Sequence, residues 1–143
     1  GKAGAAMIGD IDKEIDLGAN PQIMLREYIN DMDRCLAAAD LVVCRAGASS
    51  LSEIQALGKP SILVPYPYAA ENHQFYNAKT MSDRDAAILI EEKDFTGERL
   101  LSEVEKLISE PNRLEIMGEN AKAMAIVDAS QRITECVCRI IKN

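Results

Sequence analysis

The clearest structural signal lies at residues 38–64, which read AADLVVCRAGASSLSEIQALGKPSILV. Two short apolar runs, at 40–44 and 61–64, flank a segment at 50–57 with helical spacing of its apolar residues, followed by Gly58. Continuous apolar runs on both sides of a helix are typical of buried parallel strands joined by a crossover helix. The stretch therefore predicts a β-α-β unit.

The same alternation extends in both directions along the chain. Strands are predicted at 23–28, 40–44, 61–64 and 86–90, and helices at 31–39, 50–57 and 72–82. Three more helices are predicted: one capped by Asp94 or Thr96 and ending near Ser109, one from Pro111 to about Met124, and one over 128–142. The expected fold class is α/β, a Rossmann-like parallel sheet with flanking helices. Residues 1–22 form a weakly patterned N-terminal segment, with Ile8, Ile11 and Ile15 at helical spacing, and residues 23–143 form one domain.

Composition excludes several classes of function. The chain has 143 residues, 48% of them hydrophobic, and a formal net charge of -7. Lys and Arg number 6 against 9 Asp and Glu in residues 1–70, and 10 against 14 in residues 71–143. Because neither half is basic, no nucleic-acid partner is expected. No apolar run is long enough to cross a bilayer and no secretory leader opens the sequence, so a cytoplasmic protein is expected.

Cysteine and histidine usage gives no sign of a metal site. The four cysteines are Cys35, Cys44, Cys136 and Cys138, and there is one histidine. Cys136 and Cys138 are two residues apart in a predicted helix and cannot share one face. Without zinc spacing, free and mostly buried thiols are predicted, with no metal and no cofactor.

A polar segment, Arg45–Glu53, directly follows the strand at 40–44. Ligands of open parallel sheets bind beyond the carboxyl ends of the strands, where helix N-termini offer amide hydrogens to anions. Gly47, Ala48 and Ser49 allow a close backbone approach, and Glu53 could accept hydrogen bonds from a ribose diol. However, Ser50-x-x-Glu53 is also a capping box, which needs no ligand, and the pattern alone favours this simpler interpretation.

A second polar segment, residues 65–77, follows the strand at 61–64. Its prolines favour an extended loop that delivers Asn72, His73 and Gln74 to the first turn of a helix. Such side chains suit a sugar or a diphosphate at the positive end of a helix. Alternatively, they only cap and solvate the helix start, and a lone histidine is usually structural.

Several ordered motifs closely resemble the C-terminal domain of the MurG family of glycosyltransferases. They are YINDM at 28–32, AADLVVCRAGA at 38–48, Ser52-Glu53, GKPSILVP at 58–65, His73-Gln74, Asn77-Ala78-Lys79 and Asp128-Ala129. The resemblance runs from about Ile23 to the C-terminus, and the matching spacing of several motifs makes it specific.

The resemblance implies part of the C-terminal, donor-binding domain of a GT-B glycosyltransferase, over residues 23–143. The implied reaction transfers N-acetylglucosamine from UDP-N-acetylglucosamine, with inversion, to the C4 hydroxyl of N-acetylmuramic acid in lipid I. The product of this transfer is the lipid II of peptidoglycan synthesis. On the family pattern, the donor-binding residues are Ile29 at the uracil edge, Met32 beside it, Ala48, Ser49 and Ser50 at the diphosphate, Glu53 at the ribose, His73 and Gln74 at the sugar and phosphates, and Asn77. For Glu53, the resemblance favours ligand binding over capping.

Parts of the family pattern do not occur in this sequence. The glycine-rich acceptor loop and the catalytic base belong to the family's N-terminal domain, and the glycine-rich loop that opens the donor domain is also absent. The resemblance therefore implies that the catalytic residues and the lipid I site lie outside this chain, that the chain alone has weak activity or none, and that the whole enzyme is peripheral on the cytoplasmic face of the bacterial inner membrane. The exposed sheet edges of such a fragment would favour self-association.

Other functions remain open at this point. The chain could be the donor-binding subunit of a split two-chain glycosyltransferase, or a non-catalytic α/β interaction module whose polar loops only cap helices. A sugar-nucleotide epimerase is a weaker alternative, because the tyrosine- and proline-rich loop before His73 fits a transferase better.

Overall fold

The computed structural model of this chain describes residues 19–141. The chain divides into two compact units, Gly1–Met32 and Asp33–Asn143, and each is described by itself. The helical spacing noted at residues 8–15 lies outside the described residues.

In the N-terminal unit, the strand predicted at 23–28 is wrong. These residues are irregular, and a turn precedes them in which the Ile23 amide donates to the Asn20 carbonyl at 2.9 Å. Met24 and Tyr28 are 73% and 77% exposed. An apolar run becomes a strand only when a neighbouring strand satisfies its backbone groups, and the sequence pattern does not show that partner.

The elements that follow alternate between helix and strand before a helical C-terminal part. They are α1 (Met32–Ala38), β1 (Val42–Cys44), α2 (Ala48–Leu57), β2 (Ser61–Leu63), a 3₁₀ turn (Ala70–Asn72), α3 (His73–Ser82), β3 (Ala87–Leu89), a second 3₁₀ turn (Glu92–Asp94), α4 (Gly97–Ser109), α5 (Arg113–Ala123) and α6 (Ala129–Ile141). The predicted strands at 40–44, 61–64 and 86–90 and all six predicted helices are confirmed, with ends that differ by at most two residues. The helix predicted to begin at Pro111 begins at Arg113, since Asn112 is its N-cap residue.

The three strands form one parallel sheet in the order β1-β2-β3. Val43 pairs with Ile62, and Ile62 pairs with Ile88. All three strands therefore end at the same edge, here called the carboxyl edge, and the turns that follow them are neighbours. This arrangement confirms the predicted α/β class.

Helices cover the two faces of the sheet. On one face, Leu63 and Ala87 pack with Leu51 and Ile54 of α2 and with Met81 of α3. On the other face, the residues that form the core are Ile62, Ile90, Leu107 of α4 and Met117 of α5. β2 is central and buried at all three positions, whereas Val43 of the edge strand β1 is 43% exposed. The burial of both faces explains the continuous apolar runs in the sequence.

The C-terminal end of α2 is fixed by a glycine cap. Gly58 adopts φ 63°, in the left-handed region. The Gly58 amide donates to the Gln55 carbonyl and the Lys59 amide donates to the Ile54 carbonyl, and these two bonds form a Schellman motif. A Cβ added at Gly118 of α5 would come within 2.5 Å of the Gly58 carbonyl oxygen. The close approach of α2 and α5 therefore requires glycine at both positions.

The four thiols are free, as predicted, but the expectation that they are mostly buried is wrong. Cys35 and Cys44 are partly buried, and burial raises the pKa of the Cys44 thiol. Cys136 and Cys138 are exposed and lie on α6, which has no buried residue. Within residues 19–141, no helix has the length and hydropathy needed to cross a bilayer.

Candidate functional site

The first turn of α2 lies at the carboxyl edge, directly after β1. Gly47 is its N-cap residue, with φ -70° and ψ 143°, and within the described part of the chain no side chain caps this helix. The first helical hydrogen bond runs from the Leu51 amide to the Gly47 carbonyl at 3.0 Å. The amides of Ala48, Ser49 and Ser50 therefore have no acceptor within the helix and are available to an anion.

The capping box at Ser50-x-x-Glu53 is wrong. The helix begins at Ala48 with Gly47 as its N-cap residue, so Ser50 lies inside the first turn. The Glu53 carboxylate therefore does not accept a hydrogen bond from an N-cap amide. Glu53 is exposed and shares the outer face of α2 with Ser49, four residues earlier. Among residues 19–141, it forms neither a hydrogen bond nor an ion pair, so it is available to a ligand.

Two predicted site residues on α3 connect this helix to the neighbouring turns. The Asn77 side-chain nitrogen donates to the Ala46 carbonyl at 3.1 Å, immediately before Gly47. The Gln74 Oε1 accepts the backbone N–H of Tyr66 at 3.0 Å, in the loop after β2. Both residues are partly buried. Asn77 thus holds the backbone leading into α2, and Gln74 keeps its NH₂ group to donate.

His73 begins α3 and is exposed. Its Nδ1 lies 2.8 Å from the Ala70 carbonyl oxygen. Because a carbonyl oxygen only accepts, Nδ1 carries the hydrogen, and Nε2 of the neutral ring presents a lone pair. The chain enters α3 through Glu71 and Asn72, which have φ values of 51° and 54° in the left-handed region.

Arg45 joins the ends of all three strands, and the sequence prediction did not include it among the site residues. Its guanidinium donates to the Val64 and Pro65 carbonyls at 3.2 and 3.3 Å, beyond β2, and pairs with the Glu92 carboxylate, beyond β3. It also lies 5.7 Å from the centre of the Tyr66 ring. The hydrogen bond to Arg45 lowers the pKa of Glu92, and the same bond raises the pKa of Arg45.

A topological signal was available for this residue. Arg45 follows β1 by one position, and Glu92 follows β3 by three. Parallel neighbouring strands bring such positions to one edge, so a long cationic side chain directly after the first strand can reach the turns that follow the next two. The residue types alone, without the order β1-β2-β3, do not show this.

The described structure places six of the nine predicted binding residues on α2 and α3, and Asn77 joins α3 to the backbone that precedes α2; the six are Ala48, Ser49, Ser50, His73, Gln74 and Asn77. Glu53 lies one turn further along α2. Ile29, in irregular backbone, and Met32, the first residue of α1, belong to the N-terminal unit, and their predicted contact with uracil stays a prediction.

Comparison with known proteins gives a consistent set of relatives. The profile of the glycosyltransferase family 28 C-terminal domain matches residues 5–133. A UDP-N-acetylglucosamine–N-acetylmuramyl-(pentapeptide) pyrophosphoryl-undecaprenol N-acetylglucosamine transferase of Acetivibrio thermocellus is 44% identical over 140 residues, which are 98% of this chain and 38% of that protein. The protein of the same name from Desulforamulus reducens is 40% identical over 91% of this chain and 35% of its own length. The chain thus spans less than two fifths of these two relatives.

The solved structures that resemble the chain include the following two. The crystal structure of Acinetobacter baumannii MurG has a TM-score of 0.74 and 30% identity, covering 82% of this chain and 33% of that one. The glycosyltransferase VinC, crystallised with dTDP, has a TM-score of 0.59 over 82% of this chain and 28% of its own; at 22% identity it supports the fold alone.

Proposed function

Because this chain belongs to glycosyltransferase family 28, whose C-terminal domain it carries at residues 5–133, we propose that it binds a nucleotide-sugar donor, UDP-N-acetylglucosamine, at the carboxyl edge. The observation that carries the proposal is the start of α2, where three backbone amides lack a side-chain cap among the described residues. Aligned peptide dipoles make such a helix end a favourable place for a diphosphate.

Each residue of the site has a specific part in this proposal. The amides of residues 48–50 donate to the diphosphate, and the Glu53 carboxylate accepts from the ribose hydroxyls. The Gln74 NH₂ group donates to the sugar or phosphate oxygens, and His73 Nε2 accepts a hydrogen bond from a hydroxyl of the sugar. Asn77 holds the Ala46 carbonyl and so fixes the backbone from which the amides project. Ile29 and Met32 bind uracil in this proposal.

For the whole enzyme, we propose transfer of N-acetylglucosamine to the C4 hydroxyl of N-acetylmuramic acid in lipid I. The hydroxyl oxygen forms a bond to the anomeric carbon, the bond from that carbon to the β-phosphate oxygen breaks, and UDP leaves with the electron pair. The hydroxyl proton passes to a base that we expect outside this chain. Negative charge grows on the β-phosphate as UDP leaves, so amides that already point at it stabilise the transition state.

The location and assembly of the enzyme follow from the same proposal. The acceptor is a lipid, so we expect the whole enzyme to act as a peripheral protein at the cytoplasmic face of the bacterial membrane. This chain has a net charge of -7 and is repelled by anionic lipid, so another part of the enzyme must supply the membrane contact. We also expect the isolated chain to self-associate through its edge strands, which a concentration-dependent sedimentation coefficient would reveal.

Calorimetric titration tests the donor proposal. We expect the chain to bind UDP and UDP-N-acetylglucosamine more tightly than ADP, and Glu53→Ala to weaken both by at least about tenfold, because a charge-assisted hydrogen bond contributes about 1.5–3 kcal/mol. Glu105→Ala removes another exposed glutamate, from α4, and serves as the matched control. A folded chain that binds no uridine nucleotide would contradict the proposal and favour a non-catalytic module.

A further inference from the structure

The loop between β2 and α3 carries two tyrosines whose exposure the donor site described above does not explain. Tyr66 is 45% exposed and Tyr68 is 83% exposed. Pro65 and Pro67 flank Tyr66 and fix the backbone φ angles on both sides of it. The loop therefore presents aromatic rings from a backbone that loses little conformational entropy when a ligand binds.

Contacts with neighbouring residues position both tyrosines. The Tyr66 backbone N–H donates to Gln74 Oε1 at 3.0 Å, and the Tyr66 ring lies 5.7 Å from the Arg45 guanidinium carbon. The Tyr68 ring meets the Tyr66 ring edge to face, with centroids 5.7 Å apart and an interplanar angle of 73°. Arg45 and Gln74 thus position Tyr66, and Tyr66 positions Tyr68.

A tyrosine oriented in this way offers two kinds of contact at one place. Its ring face packs against apolar C–H groups, and its hydroxyl forms hydrogen bonds, so tyrosine is enriched where one side of a ligand is apolar and the other is polar. A pyranose ring has this character, with axial C–H groups on its faces and hydroxyls around its edge. Tyr76, also exposed at 62%, pairs instead with Phe75 on α3 and is not part of the loop.

We infer that Tyr68, oriented by Tyr66, is a stacking platform for the pyranose ring of an N-acetylhexosamine, next to the diphosphate site. This inference rests on the proposed function, because the sugar reaches the platform only if a nucleotide sugar or its acceptor occupies the carboxyl edge. The ring could belong to the donor or to the acceptor sugar, since both present the same chemistry.

The test compares UDP with UDP-N-acetylglucosamine on the full chain and on three variants: Tyr68→Leu, Tyr68→Phe and Tyr76→Leu. Because Tyr68 is almost fully exposed, its variants should fold normally, which circular dichroism would verify. If the platform binds the donor sugar, Tyr68→Leu lowers the affinity for UDP-N-acetylglucosamine about fivefold and leaves the affinity for UDP unchanged. Tyr68→Phe retains most of the affinity for UDP-N-acetylglucosamine. Tyr76→Leu should change the affinity for neither ligand.

A second arm identifies an acceptor ring. The methyl glycoside of N-acetylmuramic acid, titrated in the presence of saturating UDP and followed by NMR, should lose affinity in Tyr68→Leu if the platform takes the acceptor sugar. If UDP binds normally to every variant, and Tyr68→Leu has the same affinity as the unmodified chain for both sugar ligands, the platform proposal is contradicted. The donor-site proposal is then unaffected. If the unmodified chain binds no UDP, the donor proposal and the platform are both overturned.

Discussion

Helix α2 is the first element after β1, and helix α4 follows β3 after a 3₁₀ turn, but the first turns of the two helices are satisfied differently. At α4, the Thr96 hydroxyl accepts the Arg99 amide at 3.1 Å. At α2, the corresponding residue is Gly47, and within the described residues no side chain takes this part. A capping side chain stabilises a helix by about a few tenths of a kcal/mol relative to glycine, so α2 forgoes some stability that α4 has. The difference separates a helix start that serves the fold from one that remains available to a ligand.

The start of α5 shows why a missing cap is not sufficient to identify a site. Asn112 is its N-cap residue and provides no side-chain cap either. However, the first residue of α5, Arg113, binds Asp85 through two hydrogen bonds of 2.5 and 2.6 Å. At α2, by contrast, the uncapped amides coincide with an available carboxylate at Glu53 and with the Gln74 and Asn77 amides, in a chain of known family. This combination, rather than the helix end alone, supports the donor site.

The largest effect is expected from giving α2 the cap it lacks. A Cβ at Gly47 meets nothing within 4 Å, so Gly47→Asp fits and its carboxylate can accept the free amides. Two like charges about 4 Å apart repel by about 4 kcal/mol at an effective dielectric of 20, so we expect UDP to bind at least about 100-fold more weakly in calorimetry. The free energy of unfolding should stay the same or rise by a few tenths of a kcal/mol.

Thr96→Asp is the matched control for that variant, because it places the same carboxylate at the N-cap of α4. UDP affinity should not change in this control. Undiminished UDP binding by a folded Gly47→Asp protein would remove the α2 start from the site.

Asn77→Ala probes the link between α3 and the backbone before α2. The substitution leaves the Ala46 carbonyl without its side-chain donor, so the amides that follow are less well fixed. A hydrogen bond of this kind contributes about 1 kcal/mol, which predicts a loss of about fivefold in UDP affinity. Asn120→Ala breaks an equivalent amide-to-carbonyl bond, to Asp85 at 3.2 Å, and should affect stability without affecting UDP binding. Equal UDP affinities in the two variants would contradict a positioning role for Asn77.

Thr96→Ala is expected to give the opposite result from Gly47→Asp. Loss of the cap should lower the free energy of unfolding by about 1 kcal/mol, measured by urea denaturation, because the Arg99 amide then depends on water. UDP affinity should remain unchanged. A marked loss of UDP binding in this variant would mean that the two helix starts do not have separate roles.

The smallest effect is expected at the start of α5. The Arg113 guanidinium lowers the pKa of the Asp85 carboxyl, so the pair stabilises the fold above the unfolded aspartate pKa of about 3.9, and this contribution is lost as the pH falls through the lower folded value. Asp85 is exposed and Arg113 is partly buried, so Arg113→Gln should lower the free energy of unfolding by about 0.5–1 kcal/mol at pH 7. The difference in the free energy of unfolding between the variant and the unmodified chain should become smaller below about pH 4. A difference that does not depend on pH would contradict this assignment.

The sequence predicted the sheet and the helices well because their signals are local. Buried strands such as Ser61–Leu63 read as apolar runs, and Gly58 marks the end of α2 through a backbone conformation that other residues rarely adopt. The run at 23–28 also begins with three apolar residues but forms no strand, since pairing depends on a partner that a local pattern does not contain.

The candidate site could be predicted in its residue types but not in its bonding. Ser50 and Glu53 fit a capping box by spacing, yet the helix begins at Ala48, and only the position of the first hydrogen bond distinguishes the two cases. Arg45 was not predicted as a site residue because its contacts with Val64 and Glu92 connect positions 19 and 47 residues away. Those contacts follow from the strand order and not from any short motif.

The most direct measurement is an amide-resolved NMR titration of the ¹⁵N-labelled chain with UDP. If the start of α2 is the diphosphate site, the amide resonances of Ala48, Ser49 and Ser50 shift in a saturable manner with increasing UDP, while those of Gly97, Glu98 and Arg99 at the start of α4 stay in place. Saturable shifts confined to other parts of the chain, or equal shifts at both helix starts, would contradict the assignment of the donor site to α2.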